Sequence, residues 1–246
     1  DVGQKTDALL DDLMEGVERY SEKKKTKISV VLDEFQEITE LPEAREIEGI
    51  LRSHIQRQRY VSYFFVGSRR RVLKDMFTLK NRPFYKSAFL YPLDKISSEE
   101  FVPYIQKRFA ASGKSCSVAF AEKIFEEVEG YPYYVQKAAS IVWDRTARQV
   151  TEEILRKSEA ILLQVEEPDF EAHWSGLTLG QRSLLKALAK TPTSTPYSAE
   201  YLKNFGLSLG GTQKSLKVLL ERDLIEKSDS EYRLTDPLMK KWLLQS

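Results

Sequence analysis

Ile28-Ser-Val-Val-Leu-Asp-Glu-Phe-Gln-Glu37 is the stretch whose reading decides the fold. Val30, Val31 and Leu32 are apolar in succession, without polar alternation, and the run stops at two adjacent acids, Asp33 and Glu34. Such a run predicts a short strand buried on both faces of a parallel sheet. Ligands of open α/β sheets bind beyond the carboxyl ends of the strands, so a carboxylate pair placed there meets a ligand rather than the core.

Working outward, Leu9, Leu10, Leu13, Val17 and Tyr20 recur at three- and four-residue spacing and predict an amphipathic helix over residues 6–22. The basic run 21–27 reads as a solvated connection into the strand. After the acids, residues 42–58 predict a helix with Ile47, Ile50, Leu51 and Ile55 on one face. Val61-Ser-Tyr-Phe-Phe-Val-Gly67 predicts a second buried strand that again ends in polar residues, Ser68 and Arg69 among them. A helix over 70–77 and a short strand over 87–91, closed by Pro92, complete the pattern. Strands alternating with helices at this spacing argue for a parallel α/β sheet.

Beyond Pro92 the pattern turns helical. Ser97 and Glu100 have capping-box spacing and open a helix expected to turn Phe101, Tyr104, Ile105 and Phe109 inward. Helices follow from Ser117 to Glu129, from Tyr133, and from Thr151, with Gly130-Tyr131-Pro132 as a tight break. Glu166-Glu-Pro-Asp169 suggests a linker over 166–176. Residues 177–246 have their own rhythm. Thr178 and Gln181 form a second capping box, short helices follow over 199–205 and 212–222, and Leu224–Lys227 and Glu231–Leu234 flank a polar turn. Three helices and then a hairpin is the order of a winged helix-turn-helix, here with a final amphipathic helix from Asp236.

Composition sets limits. The length suits one to two domains. Lysine plus arginine number 38 against 37 acids, so no global charge field points to nucleic acid and any such contact must come from a local patch. A single cysteine, Cys116, excludes an internal disulfide and fits a reducing, cytoplasmic setting. No apolar run approaches the roughly 18 residues of a membrane span. His54 and His173 have no partner at ligand spacing, which argues against a zinc-type site.

Taken together, Leu32-Asp33-Glu34-Phe35-Gln36, Phe65-Val66-Gly67-Ser68, Asn81-Arg82-Pro83-Phe84-Tyr85, Tyr91-Pro92-Leu93, Gly130-Tyr131-Pro132 and Leu234-Thr-Asp236-Pro237 with Trp242 resemble the archaeal-type ATPases. These are a prokaryotic branch of the AAA+ and STAND P-loop ATPases. The resemblance covers nearly the whole chain. It implies the C-terminal half of a P-loop ATPase domain (1–92), a helical lid (93–165) and, after the linker, a winged-helix domain (177–246). In the Walker B reading, Asp33 holds Mg²⁺ through water and Glu34 directs the attacking water. Ser68, with Arg69 close by, falls at the sensor position facing the terminal phosphate. Gly130, Tyr131 and Pro132 match the lid turn that lies against adenine, although glycine and proline also punctuate helices without any ligand. Arg82 stands near the position of an arginine finger, with a plain surface arginine as the other reading.

The resemblance has a gap. The phosphate-binding Gly-x₄-Gly-Lys-[Ser/Thr] loop is absent, and the clustered glycines Gly210-Gly211 lie in the winged helix. With Asp1 rather than Met at the start, the chain reads as a fragment or processed chain, with the loop expected upstream. The implied function is that of an ATP-binding, nucleotide-dependent switch using ATP and Mg²⁺. Whether ATP is hydrolysed or only bound stays open. The alternatives are a DNA-binding winged helix, or a protein-interaction adaptor, on a degenerate ATPase scaffold. The candidate DNA contacts are Thr212, Gln213, Lys214, Lys217, Lys227 and Arg233, but Glu221, Asp223, Glu226, Asp229 and Glu231 crowd the same surface. DNA and protein partners are evenly matched there, self-assembly is a further alternative, and no membrane contact is expected.

Overall fold

The computed structural model describes residues 2–93, 95–228 and 230–245, with side chains from residue 7 onward. The chain divides into two compact units, Asp1–Pro92 and Leu93–Ser246.

In the first unit, α1 (Val2–Lys24) leads to β1 (Ile28–Leu32), a 3₁₀ turn over Phe35–Glu40, α2 (Ala44–Arg57), β2 (Val61–Phe65) and α3 (Arg70–Thr78). The strands are parallel, with Ile28 opposite Val61 and Leu32 opposite Phe65. The core lies on one face of this two-stranded sheet. Met14, Ile47, Leu51 and Met76 pack there around a cluster of four phenylalanines, Phe35, Phe65, Phe77 and Phe84.

Two expectations fail in this unit, each for a tertiary reason. Burial alternates along both strands instead of covering both faces, and Val31 and Phe64 are more than half exposed. The described helices cover one side of the sheet, so the outward residues remain in solvent although their sequence is that of a doubly covered strand. Residues 87–91 form no strand, and Phe89 and Tyr91 project into solvent. A strand needs a hydrogen-bonding neighbour, and β1 and β2 have paired with each other. On α1 the inward stripe is Leu10, Met14, Val17 and Ser21, while Leu9, Leu13 and Tyr20 stay exposed.

The second unit contains α4 (Ser98–Ala111), α5 (Val118–Glu127), α6 (Pro132–Arg145), α7 (Glu152–Ser175), α8 (Leu179–Lys190), α9 (Ala199–Phe205), α10 (Leu209–Glu221), β3 (Ile225–Ser228), β4 (Glu231–Leu234) and α11 (Pro237–Gln245). Its boundary signals act as chemistry requires. Thr178 and Gln181 form the reciprocal capping box, Ser117 and Thr151 cap α5 and α7, and Gly206 closes α9 in the left-handed conformation. Ser97 occupies its N-cap position but accepts no capping hydrogen bond, and Tyr104 of α4 is half exposed. The third winged-helix element, α10, starts at Leu209 behind Ser208, one turn before the expected start at Thr212.

The expected linker over 166–176 is helix. α7 runs 24 residues, through Pro168 to Ser175. An interior proline removes a hydrogen bond and costs about 3 kcal/mol. Packing offsets it here: Phe170 is buried against Trp242, Glu167 accepts the Trp242 indole N–H at 3.1 Å, and buried Glu166 pairs with Lys137. One hydrophobic core consequently runs from Phe101 and Ile105 through Leu162 and Phe170 to Leu184, Leu219 and Leu238. The helices over 93–165 and the winged helix share it. Among the described residues no helix is long and apolar enough to cross a membrane.

Candidate functional site

The carboxyl ends of β1 and β2 bring the acids together with the residues that follow β2. The ladder extends one step past the strands, with the Val66 amide donating to Leu32 and the Phe35 amide to Val66, both at 2.9 Å. This places Glu34 beside Ser68. The Ser68 hydroxyl donates to Glu34 Oε2 at 2.9 Å, and the Gln36 side-chain amide donates to the same oxygen. These two donors, Gln36 first, hold the Glu34 carboxyl below the usual carboxylate range. Glu34 itself sits at φ 48°, ψ 38°, a left-handed conformation that costs a non-glycine residue on the order of 1 kcal/mol. Asp33 is exposed, and its Oδ1 accepts from the Glu34 amide at 3.0 Å. Arg69 bridges Glu37 at 2.7 Å and Glu40 at 3.0 Å, so its guanidinium is already held by carboxylates.

Two residues of this arrangement were not singled out from the sequence. Gln36 is wholly buried and fixes the orientation of Glu34. Gly67 lies directly against it, since a Cβ there would stand 1.9 Å from Gln36 Oε1. The signal was present in the sequence as a glutamine just past an acid pair and a glycine ending the neighbouring strand. Their contact spans 31 residues and exists only once the strands pair.

Arg82 does not join this group. It pairs with Glu48 of α2, whose side chain is fully buried. Burial raises the Glu48 carboxyl above its ordinary range even though Arg82 pulls the other way, so desolvation wins. Arg82 thus holds a buried charge, a pairing that neither the arginine-finger nor the surface-arginine reading included. His54 is likewise buried, bonded to Asp11 at 2.6 Å and to Arg57 at 3.3 Å. Burial pushes the Cys116 thiol up to about 11, leaving it unreactive at neutral pH.

The Gly130-Tyr131-Pro132 turn belongs to the second unit. Gly130 has φ 67°, and a Cβ there would fall 2.6 Å from the Phe125 ring, so the position requires glycine. Pro132 opens α6 at its first turn. Tyr131 donates to the Thr235 carbonyl, and Tyr134 to the Asp236 carboxylate. Asp236 in turn caps α11 by accepting the Leu238 and Met239 amides at 2.8 and 2.9 Å. This turn is therefore bonded to the N-terminus of α11. Lys241 adds a second tie, to Glu127 and to Glu159.

Of the candidate DNA contacts, Gln213, Lys214, Lys217 and Lys227 are exposed. Lys217 lies 3.8 Å from Glu221, and Lys227 rests over the Tyr232 ring. Thr212 is buried and cannot reach a groove, because the earlier start of α10 turns it inward. Arg233 donates through Nε and Nη2 to Glu226, which neutralises it. The surface offers fewer available cations than its sequence suggests.

Comparison with known proteins agrees with this architecture. A family model described as a probable winged helix domain matches residues 168–245, beginning inside α7. No curated protein matches by sequence. A solved Walker-type ATPase of Pyrococcus abyssi is 16% identical over 96% of this chain and 66% of its own, with a TM-score of 0.70. The ORC2 protein of Aeropyrum pernix, solved as ADPNP and ADP complexes, is 16% identical over 95% of this chain and 69% of its own, with a TM-score of 0.56. The chain thus spans just under two thirds of the Pyrococcus protein. The shared fold is that of a P-loop NTPase, mostly helical with a small parallel sheet, followed by a C-terminal winged helix.

Proposed function

We propose that this chain carries the metal- and water-handling part of a Mg-ATP site, and that its second unit responds to the nucleotide as a single lever. The observation that carries the reading is the convergence of Asp33, Glu34 and Ser68 at the carboxyl ends of two parallel strands. The donor set fits Mg²⁺, which takes hard oxygen ligands and is commonly bound by one or two carboxylates together with substrate phosphates. Asp33 is an exposed carboxylate of that kind.

On this reading Asp33 would hold Mg²⁺, which would supply charge neutralisation at the phosphates. Glu34, ionised at neutral pH and aimed by Gln36 and Ser68, orients the water. Ser68, bonded to Glu34, would act as the sensor of the terminal phosphate. Arg69 serves by holding the acidic turn 37–40 in place. The phosphate cradle itself calls for a glycine-rich loop that these 246 residues do not contain. The exposed outer face of the sheet, with Val31 and Phe64, and the unpaired residues 87–91 are suited to packing against a further strand–loop–helix unit. Gly130, Tyr131 and Pro132 would contact adenine, and the Tyr131 and Tyr134 bonds would carry any displacement of that turn directly into α11. The winged helix would then present either DNA-contacting or protein-contacting residues, with Gln213, Lys214, Lys217 and Lys227 in the former role.

Mg-ATP calorimetry tests the reading, on this chain and on a version joined to an upstream phosphate-binding loop. Binding by the extended version alone is the expected result. Glu34→Gln in that version should retain ATP binding and lose turnover. Absence of binding by both versions would sink the reading and leave the nucleotide fold as a scaffold.

A further inference from the structure

Arg182, Lys186 and Lys190 follow one another at four-residue intervals on the outward side of α8, opposite the buried Leu184, Leu185 and Leu188. Four residues of helix advance about 6 Å, so the three form an evenly spaced basic row. Among the described residues none of them is in an ion pair. Arg182 donates through Nε and Nη2 to the carbonyls of Trp174 at 3.0 Å and Ser175 at 3.1 Å, which leaves Nη1 over for a ligand. The row borders an aromatic wall. The Arg182 guanidinium and the Lys186 ammonium lie 5.3 and 5.5 Å from the Trp174 ring centre, and Trp174 meets Trp242 edge to face at 6.0 Å. With Glu171, one turn earlier on α7, these side chains line an open groove of about 470 Å³. None of the groove residues belongs to the Mg-ATP reading or to the α10 surface.

The groove offers three kinds of contact side by side: an indole face, a row of cations and a single carboxylate. An acidic peptide could use the cations but would be repelled by Glu171. A duplex keeps its base faces stacked on each other and away from the indole. A single strand matches all three, because every nucleotide joins a flat base to a phosphate. Bases with an exocyclic amino group also donate to a carboxylate. We propose that this α7–α8 groove binds single-stranded nucleic acid. One base stacks on the Trp174 indole with its amino edge toward Glu171, and successive phosphates lie on Lys186 and Lys190. Lys190 lies beyond the groove, so a free mononucleotide would leave it unused.

The test is anisotropy of a fluorescein-labelled oligodeoxycytidine titrated with the full chain at low salt, alongside intrinsic tryptophan fluorescence. The expected result is saturable binding with tryptophan quenching and a log–log salt slope of roughly −1.4, the value for two phosphate contacts on a single strand. Lys186→Glu should weaken binding about tenfold, by removing and reversing one such contact. It should leave the circular dichroism spectrum unchanged, since Lys186 makes no hydrogen bond that folding depends on. Glu171→Gln should reduce the preference for oligodeoxycytidine over oligodeoxythymidine, which lacks the amino group. Equal affinity for duplex, competition by polyglutamate, or dCMP competing as well as the oligonucleotide would each overturn the proposal. So would loss of binding in Lys214→Glu with none in Lys186→Glu, which would move the site to α10, and so would the absence of binding at low salt.

Discussion

The two units of this protein are held together by different means, and the difference follows from how much apolar surface each can bury. Residues 1–92 enclose a small core around four phenylalanines on one side of a two-stranded sheet, and Val31 and Phe64 face water on the other. A small core gains little from the hydrophobic effect, so polar contacts matter more there. Glu48 with Arg82, and Gln36 with Glu34, lie in or beside the core. Residues 93–246 bury a continuous apolar core through every helix from α4 to α11 except at their surfaces, and their polar contacts, Tyr131 with Thr235 and Tyr134 with Asp236, tie parts already packed together. In the first unit buried polar groups position a carboxylate. In the second they fasten the 130–134 turn to the last helix of the winged helix.

The strongest way to break the comparison is Arg82→Met. If the first unit depends on its buried pair, leaving Glu48 unpaired should cost about 3–5 kcal/mol in chemical denaturation at neutral pH. The pH dependence has a definite sign. The folded pKa of Glu48 is raised, so its contribution is most favourable below the unfolded value and falls as pH rises through the folded one. Removing Arg82 pushes that pKa further up. The deficit should therefore be small near pH 4 and complete at neutral pH; a deficit independent of pH would show that lost packing, not charge, is responsible.

Next in size is Leu219→Ala. Leu219 is fully buried in the shared core, so truncation should cost about 2–5 kcal/mol. Native-state hydrogen exchange should show protection falling together in α5, α7 and α11. Loss confined to α8–α11 would mean that the helices over 93–165 and the winged helix are separate folding units after all.

Tyr134→Phe sharpens the same point. It removes one hydrogen bond to a carboxylate, worth about 1.5–3 kcal/mol, and leaves the ring in place. Exchange at the Leu238 and Met239 amides should quicken, because Asp236 loses the partner that fixes it as their cap. Unchanged exchange there would remove the latch from the lid-to-wing connection. The smallest effect is expected for Val31→Thr on the outer sheet face, within about 0.5 kcal/mol by equilibrium denaturation. A large loss would mean that this face is covered in solution.

Much of this was legible in the sequence because it depends on short-range chemistry. The apolar run stopping at Asp33-Glu34, the Thr178–Gln181 capping box, the Gly206 helix stop and the hairpin each depend on residues within a few positions of one another, so propensity and hydrogen-bonding capacity decide them. Placing Glu34 and Ser68 near each other also followed, since two parallel strands align their carboxyl ends.

What only the tertiary structure decided involves partners far apart in the chain. Pro168 reads as a break, yet burial of Phe170 against Trp242 carries α7 through it. Val31 reads as buried and residues 87–91 read as a strand, but burial and pairing depend on neighbours that a local window does not contain. Arg82 reads as an arginine finger or a plain surface arginine, and Thr212 as an exposed DNA contact. One is drawn to buried Glu48 and the other is turned inward by a helix that begins a turn early. Local sequence specifies which structure each segment can adopt, and long-range packing and desolvation decide which of its side chains remain free to act.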